Sequence, residues 1–107
     1  PMLDTFLRAL PHAFRDIDAG EGVTVHAAVR GEFDGDWRIV REKGRWSFRC
    51  GDARPAAASV TCAPRTMWKI CTTRIAPDAA VRDFPELRIA GDEALAVHVL
   101  RIVAVMI

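Results

Sequence analysis

The sequence predicts an α+β domain in which helices pack on one face of an antiparallel sheet of four or five strands. Residues 23–29 alternate apolar and polar side chains, the period of a half-buried strand. Glycine-containing turns at residues 34–36 and 43–44 join the next strands as hairpins. Helical apolar spacing occurs before and after these strands. The order α-β-β-β-β-α-β-α over 107 residues fits a single domain.

The individual elements follow from local patterns. Helical spacing of apolar residues predicts a first helix over residues 2–10, which Pro11 interrupts or ends. The Asp34-Gly35-Asp36 segment predicts a tight type I′ turn, and Lys43-Gly44 a second turn. Side-chain parity places Trp37, Ile39 and Arg41 on one face of the second strand, with Trp46, Phe48 and Cys50 forming the third. A fourth strand carries Ala58, Val60 and Cys62, and a fifth spans residues 87–90.

Two prolines mark later helix starts. Pro64 suits the first turn of a helix whose predicted apolar face is Met67, Trp68, Ile70 and Cys71. Pro77-Asp78 begins a short irregular or helical segment that reaches Phe84.

The C-terminal segment, residues 91–106, is the most informative part of the chain. Asp92 is placed to cap a helix, and His98 and Arg101 alone interrupt the apolar sequence after the first turn. A surface helix shows one apolar stripe and one polar face, so we expect this helix to be covered on two sides. The second cover would be another polypeptide or a second copy of the chain. The segment is too short to span a bilayer, which needs about twenty residues.

Composition restricts the function. The net charge of +1 predicts neither non-specific nucleic-acid binding nor membrane attraction. Thirteen Arg against two Lys and seventeen Ala reflect a GC-rich coding sequence, so arginine abundance alone does not indicate a binding site. With no Asn, Gln or Tyr, a polar site must use the remaining polar side chains or the backbone. Three cysteines without a C-x-x-C pair favour a reducing cytoplasmic location and buried thiols.

No catalytic or metal-binding signature is present in the sequence. The two serines, Ser47 and Ser59, lie on predicted strands, and no nucleophile elbow surrounds them. No His or Cys spacing predicts a metal site, and residues 31–36 depart from a calcium loop. Four arginines share the predicted outer face of the sheet, but the tryptophans fall on the other face by parity. We therefore expect a solvated surface and not an RNA-binding sheet. These arginines are Arg30, Arg38, Arg45 and Arg49.

Several polar residues remain as binding candidates. His12 lies near Arg15 and two aspartates, where it either polarises a ligand or packs at a helix end. His98 is expected to be a satisfied core or interface histidine, and His26 an exposed strand residue. Arg74 follows the predicted helix, where it either meets the last carbonyls or contacts an anionic ligand.

In their order and spacing, four motifs resemble the C-terminal domain of the mycothiol-dependent maleylpyruvate isomerase family. They are Leu10-Pro11-His12-Ala13-Phe14-Arg15-Asp16-Ile17-Asp18-Ala19, Gly35-Asp36-Trp37-Arg38-Ile39-Val40-Arg41 followed by Trp46, the helix with Trp68, and residues 89–95 leading to 103–106. The resemblance covers essentially the whole chain. It implies a sterol-carrier-like α+β fold and an accessory, substrate-side role in the cytoplasm.

The same resemblance implies the remaining functional expectations. A DinB-type helical bundle would precede this domain and hold a divalent metal that activates mycothiol. Arg74 would then contact the substrate or thiol anion, with His12, Arg15 and Trp68 as further binding candidates. Without the bundle the chain would be inactive, and the C-terminal helix would bind the bundle or a homodimer partner. The alternative is a standalone sterol-carrier-like module that holds an apolar small molecule between sheet and helices.

Overall fold

The computed structural model describes residues 4, 7–49, 55–72 and 75–101, with Cys71 described by its backbone alone. Four strands follow one another along this part of the chain before the next helices, an order that confirms the α+β class. The helices and strands are α1 (Leu10–Ala13), β1 (Thr24–Val29), β2 (Gly35–Glu42), β3 (Arg45–Phe48), β4 (Ala58–Cys62), α2 (Pro64–Thr72), α3 (Pro77–Asp83), β5 (Arg88–Gly91) and α4 (Glu93–Val99).

The strands form one five-stranded sheet in the order β3-β2-β1-β4-β5. Every neighbouring pair is antiparallel except β1 and β4, which run parallel. The prediction of a wholly antiparallel sheet is therefore wrong at this central pair. The β2–β3 hairpin lies on one side of β1, and the chain then crosses to the other side and enters β4 in the direction of β1. Side-chain alternation has the same period in both directions, so it could not reveal this crossover.

The register places most apolar residues of the strands on one face, while Ala28 and Val40 are buried on the other. Val25 lies between Ile39 and Ala58, and Val60 pairs with Ile89. The helices contribute to the same core with buried side chains from α1, α2, α3 and α4. Trp46 is only 5% exposed, and Phe48 is half-buried against the core. The predicted buried face of the sheet is confirmed.

The two predicted hairpin turns have different outcomes. Lys43 and Gly44 have φ angles of 53° and 77°, and Glu42 pairs with Arg45, which confirms a two-residue turn of the type I′ kind. At the first hairpin Gly35 already pairs with Val29, so the loop spans residues 30–34 and the predicted Asp-Gly turn is wrong.

The prolines begin helices. Pro64 and Pro77 are the first residues of α2 and α3. Pro11 lies in the first turn of α1, so it begins this short helix. Of the predicted first helix, Asp4 and Leu7 are helical, and a turn at Arg8 and Ala9 separates them from α1. On α2, Met67 and Ile70 are fully buried while Trp68 is 37% exposed, so the inclusion of Trp68 in the apolar face is wrong. One residue is a rotation of about 100° on a helix, enough to move Trp68 off the buried side.

The cysteine prediction is tested at one position. Cys62 is only 3% exposed, so it is buried as expected. Cys50 and the side chain of Cys71 lie outside the described residues.

Helix α4 packs across the sheet as predicted. The Asp92 carboxylate accepts hydrogen bonds from the backbone N–H groups of Ala94 and Leu95, at 3.0 and 3.3 Å. Ala96, Val99 and Leu100 have no exposed surface. Residues 102–106 of the predicted helix lie outside the described residues.

Candidate functional site

Helix α4 is flanked by two open grooves. The first, which we call the α3–α4 groove, has a volume of about 450 Å³ and lies between α3, β5 and α4. Four of its six lining residues are aliphatic. They are Val81, Leu87, Ile89 and Val97, joined by Gly91 and Glu93.

The α3–α4 groove exists because the sheet ends there. β5 is an edge strand of four residues, of which only Ile89 is partly buried. Val81 of α3 is 48% exposed, an unusual amount for a residue beside the core. The chain therefore leaves an open recess with aliphatic side chains in its walls at the junction of sheet and helices.

Gly91 fixes the floor of this groove through a close backbone approach. Its φ angle is +80°, and a Cβ atom there would lie 2.1 Å from the Ala57 carbonyl oxygen. The next residue, Asp92, donates its backbone N–H to that same oxygen at 2.7 Å. Only glycine combines this dihedral angle with this approach at low cost. The groove floor is therefore a fixed part of the fold.

The second groove lies on the other side of α4 and has a volume of about 390 Å³. Leu95 faces it, and the segment before β1 forms the opposite wall. Its lining is Ile17, Asp18, Ala19, Gly20, Val23, Ala57, Asp92, Ala94 and Leu95. The two sides of α4 are thus open at Leu95 and Val97, both half-buried, which is where the sequence indicates a second cover.

Among the described residues that line these two grooves, all the charged ones are carboxylates. Asp18 forms an ion pair with Arg41 at 3.2 Å, and Asp92 caps α4. Glu93 is exposed and makes no hydrogen bond or ion pair with the described residues. Among the described residues, the charge that lines the α3–α4 groove is therefore a single negative one.

A third pocket of about 220 Å³ has the opposite character. Asp4, Arg8, Asp36, Trp37, Arg38, Phe48 and Arg49 line it. The Asp4 carboxylate accepts from Arg8 Nε at 2.7 Å and from the Trp37 indole N–H at 2.8 Å. These hydrogen bonds, that of Arg8 first, lower the pKa of Asp4. The Asp4 and Asp36 carboxylates both already accept hydrogen bonds from side chains of the protein. This polar pocket is therefore a weaker candidate site than the α3–α4 groove.

The outer face of the sheet carries a second polar cluster. Asp36 Oδ1 lies 2.7 Å from His26 Nε2 and 2.9 Å from Arg30 Nη2. The hydrogen bond from Arg30 is the main cause that lowers the pKa of Asp36. Burial lowers the pKa of His26 despite its hydrogen bond to Asp36. The side chain of His26 is only 14% exposed, so the prediction of an exposed strand histidine is wrong.

The structure describes three of the four predicted site residues. His12 is exposed, and its carbonyl accepts from Arg15 Nη1 at 2.8 Å. Arg15 also lies 3.8 Å from Asp16, and Trp68 is exposed on α2. None of these three residues lines the grooves described above. Arg74 lies outside the described residues, and its role stays a prediction.

His98 fills a core position, as predicted. Its Nε2 atom lies 2.7 Å from the Ala13 carbonyl oxygen, to which it donates. Its ring meets Phe14 edge-on at a centroid distance of 4.8 Å, and Phe14 meets Trp46 in the same way at 5.2 Å. We call Phe14, Trp46 and His98 the aromatic cluster. It closes the side of the core that faces α1.

Sequence reasoning missed the lining of the α3–α4 groove. Val81, Leu87 and Glu93 come from three separate segments, and none belongs to a motif. The one signal in the sequence was Val97, an apolar residue on a helix that already has another apolar side to pack on the sheet.

Among the residues that the structure describes, no group of His, Cys, Asp and Glu could hold a metal ion. In the same part of the chain, no helix has the length and apolar character needed to cross a membrane.

Comparisons with solved structures identify the fold of this chain. No family profile and no curated protein sequence matches the chain. Among solved structures, sterol carrier protein domain 2 of Helicoverpa armigera has a TM-score of 0.66 at 14% identity, over 94% of this chain and 87% of its own. A UbiJ-SCP2 ubiquinone synthesis protein gives 0.61 at 20% identity, over 97% and 88%. Palmitated SCP2L2 from Aedes aegypti gives 0.63 at 14%, over 94% and 92%. The chain has the fold of the SCP2-like domains.

Proposed function

We propose that this domain is a sterol-carrier-like module that binds an apolar small molecule in the α3–α4 groove. The observation that carries this proposal is the recess of four aliphatic side chains at the edge of the sheet. A ligand there would remove from water the exposed parts of Val81, Leu87, Ile89 and Val97. Each Å² of apolar surface buried contributes about 25 cal/mol, so an apolar ligand is the class that the walls stabilise.

Two further points support the proposal. The floor at Gly91 is fixed by the backbone, so the site is formed before a ligand arrives, which limits the entropy lost on binding. The solved structures with this fold include proteins described as sterol carriers.

A fluorescence titration with Nile red, a neutral apolar dye, tests the proposal. We expect saturable binding to the full chain and displacement by dodecanol. The Val97→Trp variant fills the groove and should weaken dye binding at least ~10-fold, or about 1.4 kcal/mol. Leu95→Trp is the matched control, because it adds the same side chain on the other side of α4. Equal loss in both variants, or no saturable binding to the wild type, would contradict the proposal.

A second candidate function keeps the resemblance to the mycothiol-dependent maleylpyruvate isomerase family. Under this proposal the domain is an accessory part of a larger enzyme, and Arg74 contacts an anionic substrate or thiol. Its supports are the ordered motifs of the sequence and the two open sides of α4, which a helical bundle or a homodimer partner would cover. Mycothiol and a divalent metal would then belong to the complete enzyme.

Reconstitution with a metal-loaded DinB-type bundle tests this second proposal. We expect isomerase activity only in the complex, and Arg74→Ala should reduce that activity far more than it lowers the melting temperature. Arg74→Lys should restore little, because an ammonium lacks the planar fork that binds carboxylates. Full activity in the Arg74→Ala complex would contradict the assignment of Arg74.

A further inference from the structure

We infer that the α3–α4 groove selects apolar molecules whose polar end is neutral or cationic, and disfavours carboxylates such as fatty acids. Glu93 is the residue that sets this preference. The inference rests on the proposed function, since it concerns the ligand of the same groove.

The first step is the charge of the groove. Glu93, on the first turn of α4, is the one charged residue among the described residues that line it. It is exposed, so it sits where the groove meets water and where the polar end of an amphiphile would remain. Neither a hydrogen bond nor an ion pair with the described residues compensates its charge.

The second step is the position of the nearby arginines. Arg88 lies on β5 next to Ile89, and successive residues of a strand point to opposite faces, so Arg88 points away from the groove. Arg82 of α3 forms an ion pair with Asp83 at 3.2 Å and does not line the groove. In the described part of the chain, a ligand carboxylate would therefore meet Glu93 without a lining cation.

The third step compares the neighbouring groove. Its charged lining residues, Asp18 and Asp92, are also carboxylates. Arg8, Arg38 and Arg49 line the third pocket instead, beside Trp37 and Phe48. Asp18 already pairs with Arg41, and Asp92 caps α4. Among the described lining residues, neither groove therefore offers a cation to an anionic ligand.

Displacement of Nile red by dodecylamine, dodecanol and dodecanoate tests the inference, since these molecules share a chain and differ in head charge. At pH 7.5 and low salt we expect dodecylamine to bind at least as tightly as dodecanol, and dodecanoate to bind about 5- to 10-fold more weakly than dodecanol, the size expected for two like charges close together in water. Glu93→Gln should remove most of this difference. Glu32→Gln is the control, because it removes the same charge from a residue that pairs with Arg65 outside the groove.

The outcomes separate the two proposals. Dodecanoate binding as tightly as dodecanol, or an unchanged preference in Glu93→Gln, would overturn the inference and leave the proposed function standing. An equal loss of preference in Glu32→Gln would also overturn it, because net charge and not Glu93 would then be responsible. Failure of all three molecules to displace the dye would overturn the proposed function, and the inference with it.

Discussion

The two ends of the core differ in how they are closed. At one end Phe14 has no exposed surface and meets both Trp46 and His98 edge-on. The His98 ring and the Trp46 indole donate to the carbonyls of Ala13 and Ile17, at 2.7 and 3.0 Å. At the other end, beside β5, aliphatic side chains line the α3–α4 groove and stay partly exposed.

The aromatic end of the core contributes stability, and the groove end offers a surface for the proposed ligand. The aromatic cluster fills its space with large side chains and satisfies its polar atoms, which stabilises the fold and leaves no room for a ligand. The α3–α4 groove leaves apolar surface in water, a cost that an apolar ligand would offset. Substitutions at the two ends should therefore have opposite effects on stability and binding.

The largest expected effect is at the aromatic cluster. Phe14→Ala should lower the free energy of unfolding by roughly 3–5 kcal/mol, because it leaves a cavity among fully buried neighbours. Val97→Ala in the groove should cost only about 1 kcal/mol, since that side chain is half-buried. Chemical denaturation of both variants measures the difference. Equal losses in the free energy of unfolding would contradict the distinction between the two ends of the core.

The groove floor should be nearly as sensitive as the aromatic cluster. Gly91→Ala should cost roughly 2–4 kcal/mol, because the positive φ angle and the contact with the Ala57 carbonyl oxygen both become unfavourable. Gly44→Ala is the matched control, with a φ angle of +77° and no atom within 4 Å of the added Cβ. It should cost only about 1 kcal/mol. Similar melting temperatures for the two variants would contradict a rigid floor.

The smallest expected effect is the pH dependence at the outer face of the sheet. Because burial lowers the pKa of His26 in the folded protein, the unfolded chain takes up its proton first, near the ordinary value of 6.5. The contribution of neutral His26 to the free energy of unfolding should therefore be fully present above that pH. It should decline as the pH falls below it, by at most about 1.4 kcal/mol per pH unit for one proton. His26→Gln should flatten the decline in thermal melts between pH 7.5 and 5. The same change at the exposed His12 should not. An identical slope in both variants would show that His26 does not cause it.

Much of the fold was predictable because local chemistry determines it. Asp92 caps α4, Lys43-Gly44 forms a tight turn, and Trp46 points inward, each from a pattern within a few residues. The parallel pairing of β1 and β4 was not predictable, because it depends on a crossover and not on side-chain alternation. Asp34-Gly35 has the composition of a tight turn, yet the β1–β2 register places Gly35 inside the strand.

The candidate site was predictable only in part. The apolar character of α4 on all sides indicated an uncovered surface, and Val97 does line a groove. The residues that complete this groove, Val81 and Leu87, come from segments that no spacing rule connects to α4. His12, Arg15 and Trp68 stood out as polar or aromatic residues near predicted helices, but none of them lines one of the three recesses described above.

The central claim, that the α3–α4 groove binds an apolar molecule, is tested most directly by methyl-resolved NMR with dodecanol. The account predicts saturable shift changes concentrated at the methyl groups of Val81, Leu87, Ile89 and Val97, with Val25 and Val29 in the closed core as internal references. Saturable changes that leave these four residues unaffected, or no changes at dodecanol saturation, would contradict it.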